Sequence, residues 1–246
     1  MDLPSVLGNL VASLLAFAAG LSFRTTVHYW RTSRPRRRAL GFTPAQQISI
    51  VVGDRTTSDQ PGPGLFESDV YAATTVLSHV RILWPKAKVT VTTATALDER
   101  AGLERDLVVV GGPKTNRAFR IIAKRLSLPF SFDLDADLPV LVRAADGHEF
   151  PLSVDDGGRT TLDHGLVVVA PNPFRPGCRV WLLAGCGTLG TMSAAKVLSE
   201  PELGLIPREM VTAGHGALVV QTEVIEGYHT QPRIVAVDVD GVAVTR

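Results

Sequence analysis

Four apolar runs, rich in valine and isoleucine and broken only by Ser49, recur after residue 46: Ile48–Val52, the apolar part of Asp106–Val110, Leu166–Ala170 and the apolar part of Arg179–Ala184. A strand with one wet face alternates polar and apolar residues. A run without that alternation is buried on both faces, which requires a sheet covered by other elements on each side. Helical spacing supplies the cover. Glu67–Leu83 places Val70, Ala73, Val76, Leu77 and Val80 on one face and stops at Trp84-Pro85. Further helices are expected from about Arg117 to Leu126 and from about Met192 to Ser199. Lys88–Thr93 alternates as another strand. Pro139–Arg143 and Glu149–Val154 flank Asp146-Gly147 as a hairpin. Ala217–Ile225, Arg233–Asp238 and Val242–Thr245 complete the strands.

Strand–loop–helix succession of this kind predicts an α/β fold: a mainly parallel, Rossmann-like sheet with antiparallel hairpin additions. The fraction of hydrophobic residues, 45%, against 20% charged, excludes wholesale disorder. About 200 residues suffice for one core, so residues 46–246 are read as a single ligand-binding domain. DLVVVGGPKTNRAFRIIAKRL and RVWLLAGCGTLGTMSAAKVL echo one another as two strand–turn–helix units of that sheet.

The other end of the chain reads differently. Leu3–Phe23 contains no charged residue and, as a helix, would span about 30 Å, the thickness of a bilayer's hydrocarbon core. Arg24, Arg31, Arg34, Arg36, Arg37 and Arg38 follow it, with His28, Tyr29 and Trp30 at headgroup level. The expectation is one transmembrane helix over 1–23, a basic juxtamembrane linker over 24–45, and a cytoplasmic body, the arginines remaining inside. The lipid bilayer is then a partner, and the arginines can hold anionic lipid. A cleaved signal peptide, favoured by Ala16, Ala18 and Ala19, is the competing reading.

In an open α/β sheet, ligands sit where strands end and helices begin. Three such loops stand out: Gly53–Leu65, beginning with Gly53 and Asp54; Gly111–Asn116, with Gly111, Gly112, Lys114, Thr115 and Asn116; and Gly185–Thr191, with Gly185, Gly187, Thr188, Gly190 and Thr191. Bare amides and helix dipoles at such turns favour an anion, and Lys114 adds positive charge. Neither GxxxxGK[ST] nor a dinucleotide fingerprint is present, and no cofactor is named by the motifs. The competing reading is that the glycines only permit tight turns.

The motifs strand–GGPKTN–helix and NPFRPG–strand–AGxxxxGT–helix resemble the α/β domain found in archaeal S-layer proteins and in scattered bacterial proteins of unknown function. The resemblance covers Asp106–Asn116 and Asn172–Leu198 directly. It implies the same fold and a site at the second and third loops, implies no catalytic residue, and leaves open a structural or assembly role without ligand.

Chemistry can also be read in. Cys186 lies between Gly185 and Gly187 on a strand-to-helix turn, where a helix amino terminus would lower its pKa. His215, flanked by glycines, would be its base, oriented by Glu223 or Asp54, giving a membrane-bound hydrolase or transferase. Buried packing of the cysteine is the competing reading. Two cysteines exclude a disulfide scaffold, and the histidines lack metal-ligand spacing. Aromatic residues, 6% of the chain, are not interleaved with basic ones, so no nucleic-acid platform is indicated. The reading these features favour is a sensor or adaptor that recognises a small anionic ligand, such as a nucleotide.

Overall fold

The computed structural model describes residues 37–38, 40–42, 47–54, 64–98, 101–199, 206–225 and 228–244. One compact unit runs from Ala39 to Arg246. It takes in the end of the stretch read as a linker. Leu40 and Phe42 are buried, the indole N–H of Trp181 donates to the Leu40 carbonyl at 3.0 Å, and Phe42 packs on Trp84 at 5.5 Å between ring centres.

Its centre is a nine-stranded sheet. The strands are β1 (Gln47–Val52), β2 (Lys88–Thr93), β3 (Asp106–Val110), β8 (Ser153–Val154), β9 (Thr160–Pro171), β10 (Arg179–Gly185), β11 (Gly216–Ile225), β12 (Tyr228–His229) and β13 (Arg233–Asp238). The path across it is β12-β11-β9-β10-β3-β1-β2, with β13 also on β11 and β8 on β9. A second sheet joins β5 (Phe130–Asp133), β6 (Val140–Arg143) and β7 (Glu149–Pro151), and β4 (Leu126–Ser127) pairs with β14 (Ala243–Val244). The helices are α1 (Glu67–Leu83), α2 (Arg117–Ala123), α3 (Thr188–Ser199) and α4 (Arg208–Ala213).

The apolar runs sit where their composition requires. Val108 and Val110 face a core shared with Val76 and Val80 of α1 and Ala194 and Leu198 of α3. Leu107 and Val109 face the opposite core, with Phe119 and Ile122 of α2 and Phe130, Leu141 and Phe150 of the small sheet. Three layers result.

Two expectations are corrected. The sheet is mixed, not mainly parallel: β1 pairs in parallel with β2 and β3, and β3 with β10, but β9, β11, β12 and β13 are antiparallel additions. The cause is the short connection Asn172–Cys178, too few residues for a crossover helix, so β9 and β10 form a hairpin. Asn172 builds that turn: its side-chain oxygen accepts the Phe174 N–H, while its amide donates to the carbonyls of Leu103 and Arg105. The second correction concerns the membrane. Among the described residues no helix is long and apolar enough to cross one, the longest being the 17 residues of α1 with its three charged side chains, Glu67, Asp69 and Arg81. That finding overturns the transmembrane, single-pass element as a feature of the described fold. The stretch Leu3–Phe23 and nearly all of the basic segment lie outside the described residues.

Candidate functional site

The chain runs from β1 through α1 to β2 on one side, then returns to place β3 on the other side of β1. The helix after β1 packs on one face and the helix after β3 on the opposite face. That reversal opens a crevice beyond the strand tips, the usual ligand position in an open α/β sheet. Here it is a cleft of about 220 Å³. Phe66, Ser68 and Asp69 at the start of α1, Gly112–Thr115 after β3, and Gly185–Thr188 with Thr191 at and after the end of β10 line it, with Phe132 of β5 and Leu134 and Pro139 of the β5–β6 connection. The register brings the two glycine loops together. Leu183 pairs with Val110, the Gly111 N–H donates to the Leu183 carbonyl at 2.9 Å, and the next residues are the loops themselves.

The glycines divide into two kinds. A Cβ on Gly185 would lie 2.2 Å from the Thr191 nitrogen, and one on Gly190 would lie 2.2 Å from the His164 carbonyl oxygen. These positions are bare so that α3 can sit directly on β9 and β10. Gly53 and Gly111 make room for a side chain, since a Cβ on either would fall 2.6 or 2.5 Å from Asp69 Oδ2. Gly111 also has φ +103°, open to glycine and rarely to others. Gly112 alone of these has space: the nearest atoms to its Cβ position are 3.8 and 3.9 Å away. It is the glycine that leaves backbone open to the cleft.

The amides of the third loop are not vacant. Asp163, at 0% exposure, accepts from the N–H groups of His164 at 2.8 Å, Gly187 at 3.0 Å and Gly190 at 2.6 Å, and also from Leu189. An internal carboxylate therefore fills the anion position at the amino terminus of α3. Burial pushes its pKa up to about 6 against the downward pull of those four donors. Asn116 does the corresponding work at α2. It is fully buried, its oxygen caps Ala118 and Phe119, and its amide donates to the carbonyls of Val51 at 3.1 Å and Val110 at 2.8 Å, tying β1 to β3.

Of the expected ligand residues, Gly112, Lys114, Thr115, Gly185, Gly187, Thr188 and Thr191 come together on the cleft. Gly53, Asp54, Gly111, Asn116 and Gly190 do not line it. Asp54 is buried, and its Oδ2 accepts from the Thr95 N–H at 2.9 Å. Most of the first loop, 55–63, lies outside the described residues.

The pairing of Cys186 with His215 is corrected. Gly216, beside His215, is in register with Val169, which pairs with Trp181, four residues and about 13 Å before Gly185. His215 is thus at the other end of the strands. Glu223 lies seven residues further along β11 and is held by Arg233 at 3.0 Å. Cys186 is buried, its thiol donates to the Phe150 carbonyl at 3.6 Å, and burial together with Asp163 pushes its pKa up to about 12. A thiol in that state is not a nucleophile near neutrality.

The residue that sequence reasoning missed is Asp69. It is 4% exposed and lines the cleft, and burial pushes its pKa up to about 6. A signal was present, because Asp69 falls on the same helical stripe as Ala72, Ala73, Val76 and Val80, where an acid is out of place.

Compared with known proteins, the chain matches no family model and no curated protein sequence. The S-layer likeness rests on its motifs alone.

Proposed function

We propose that the chain recognises a small anionic molecule, such as a nucleotide, in the cleft beyond β1, β3 and β10, and acts as a sensor or adaptor. The observation that carries this reading is the convergence of Gly112, Lys114, Thr115, Gly187, Thr188 and Thr191 on one cleft at the point where the sheet order reverses. Lys114 supplies charge, the threonines supply hydroxyls, and Gly112 lets a ligand approach the backbone. Since Asp163 takes the amides of α3, the anion belongs on the β3 side of the mouth. A protonated Cys186 thiol speaks against the alternative of a cysteine-dependent hydrolase or transferase.

The test is thermal-shift and calorimetric screening of the full chain with phosphate and nucleotides. Gly112→Val and Lys114→Ala should each remove binding while the circular dichroism spectrum is retained. No hit in a broad screen overturns the reading. The close packing at Gly185 and Gly190 favours the alternative of an assembly module, which requires stable oligomers and an unresponsive cleft.

A further inference from the structure

The fold satisfies its buried acids with main-chain donors. Asp54 receives the Thr95 N–H, Asp106 the Arg179 N–H at 2.7 Å, and Asp163 four amides. Asp69 is the exception. Its Oδ1 takes only the Ser68 hydroxyl, at 3.3 Å, and its buried Oδ2 has no hydrogen-bond partner. Leaving a buried carboxylate oxygen unmatched is costly, and a small apolar residue would fill this place on the stripe without that cost. The surroundings nonetheless make room for it, with glycine at both 53 and 111 where any Cβ would collide with Oδ2. The side chain lines the same cleft as Lys114.

Resting on the anion-binding reading, we infer that the ligand carries a hydrogen-bond donor, an ammonium or a hydroxyl, beside its anionic group, and that Asp69 receives this donor. The class is an aminated or hydroxylated organophosphate. A bare anion would be repelled by the carboxylate, whereas a donor one or two carbons from the phosphate completes the vacant acceptor as Lys114 meets the phosphate. Oδ2 has no exposed surface in its recess against Gly53 and Gly111, so the side chain must swing toward the cleft for that oxygen to take the donor.

The experiment is calorimetry on the full chain with three esters of similar size: O-phosphoethanolamine, glycerol 3-phosphate and propyl phosphate, the last without a donor on its carbon chain. The expected result is that one of the first two binds roughly tenfold or more tightly than propyl phosphate, and which one wins assigns the donor as ammonium or hydroxyl. Asp69→Asn should shrink that preference at least fivefold. Equal binding of all three esters, or a preference that survives Asp69→Asn, overturns the inference and leaves anion recognition standing. Absence of binding by all three and by inorganic phosphate overturns anion recognition itself, and the inference with it. Where Asp69→Asn does not fold, equal binding of the three esters by the unsubstituted chain still overturns the inference, and Asp69→Ser supplies the variant comparison.

Discussion

Replacing Asp163 with alanine should destabilise the fold by about 4 kcal/mol. The magnitude follows from where the four donors are left. The N–H groups of Gly187 and Leu189 belong to half-exposed residues beside the cleft, so water can replace the carboxylate there at little cost. Those of His164 and Gly190 belong to buried residues, and each orphaned buried donor costs about 2 kcal/mol. Asp163→Asn keeps one acceptor oxygen but turns an amide toward the remaining donors, so its cost should lie between that of alanine and zero. The assay is urea denaturation at pH 7 followed by circular dichroism, with the slope unchanged between variants. Sulfate adds a second readout. In Asp163→Ala the start of α3 becomes an anion site, and sulfate at ten times its Kd should restore about 1.4 kcal/mol beyond its effect on the unsubstituted chain. A loss under about 1 kcal/mol, with no differential sulfate effect, would refute the view that this carboxylate is the cap of α3.

Three other outcomes are expected. The folded pKa of Asp69, about 6, lies above its unfolded value of 3.8, so its contribution to stability is fully present below 3.8 and is lost as pH rises through 6. The penalty is about 3 kcal/mol at pH 7 and about 1 kcal/mol at pH 4.5. Chemical denaturation should therefore show the unsubstituted chain gaining about 2 kcal/mol relative to Asp69→Asn between those pH values, and a pH-independent difference would contradict the burial. Gly190→Ala, with its Cβ driven to 2.2 Å from a backbone oxygen, should cost about 3 kcal/mol or more, whereas Gly112→Ala should stay within about 1 kcal/mol by thermal or urea unfolding. Iodoacetamide near neutral pH should leave Cys186 unlabelled in the native chain and label it in urea, as read by peptide mass spectrometry; rapid native labelling would restore the nucleophile reading.

Much of the architecture was legible because it depends on local pattern. Asp106–Val110 and Lys88–Thr93 became strands, and Glu67–Leu83 a helix, at the bounds their periodicity sets. The direction of β9 was not, since it depends on reading Asn172–Cys178 as a hairpin turn, and on Asn172 reaching carbonyls 67 and 69 residues away. The small sheet of β5, β6 and β7 was legible only as one hairpin, Phe130–Asp133 being too short and weakly patterned to stand out.

The site shows the same boundary between what is local and what is not. A glycine-rich turn announces that main-chain amides are bare of side chains; it does not announce that they are vacant. Around α3 they are taken by Asp163, which precedes the turn by 24 residues in sequence but sits against it across the β9–β10 hairpin. The internal carboxylate holds the dipole end of α3, and the glycines there serve helix-to-sheet contact. What is left for a guest is the narrower surface of Gly112, Lys114 and Thr115, facing a helix start that has no side-chain cap and carries Asp69. Two buried acids, Asp163 behind the third loop and satisfied by the protein, Asp69 on the cleft and not, are a sharper specification than glycine loops alone. A simple anion finds the amides of α3 occupied, while on the proposed reading an anion that brings its own donor answers the Asp69 carboxyl.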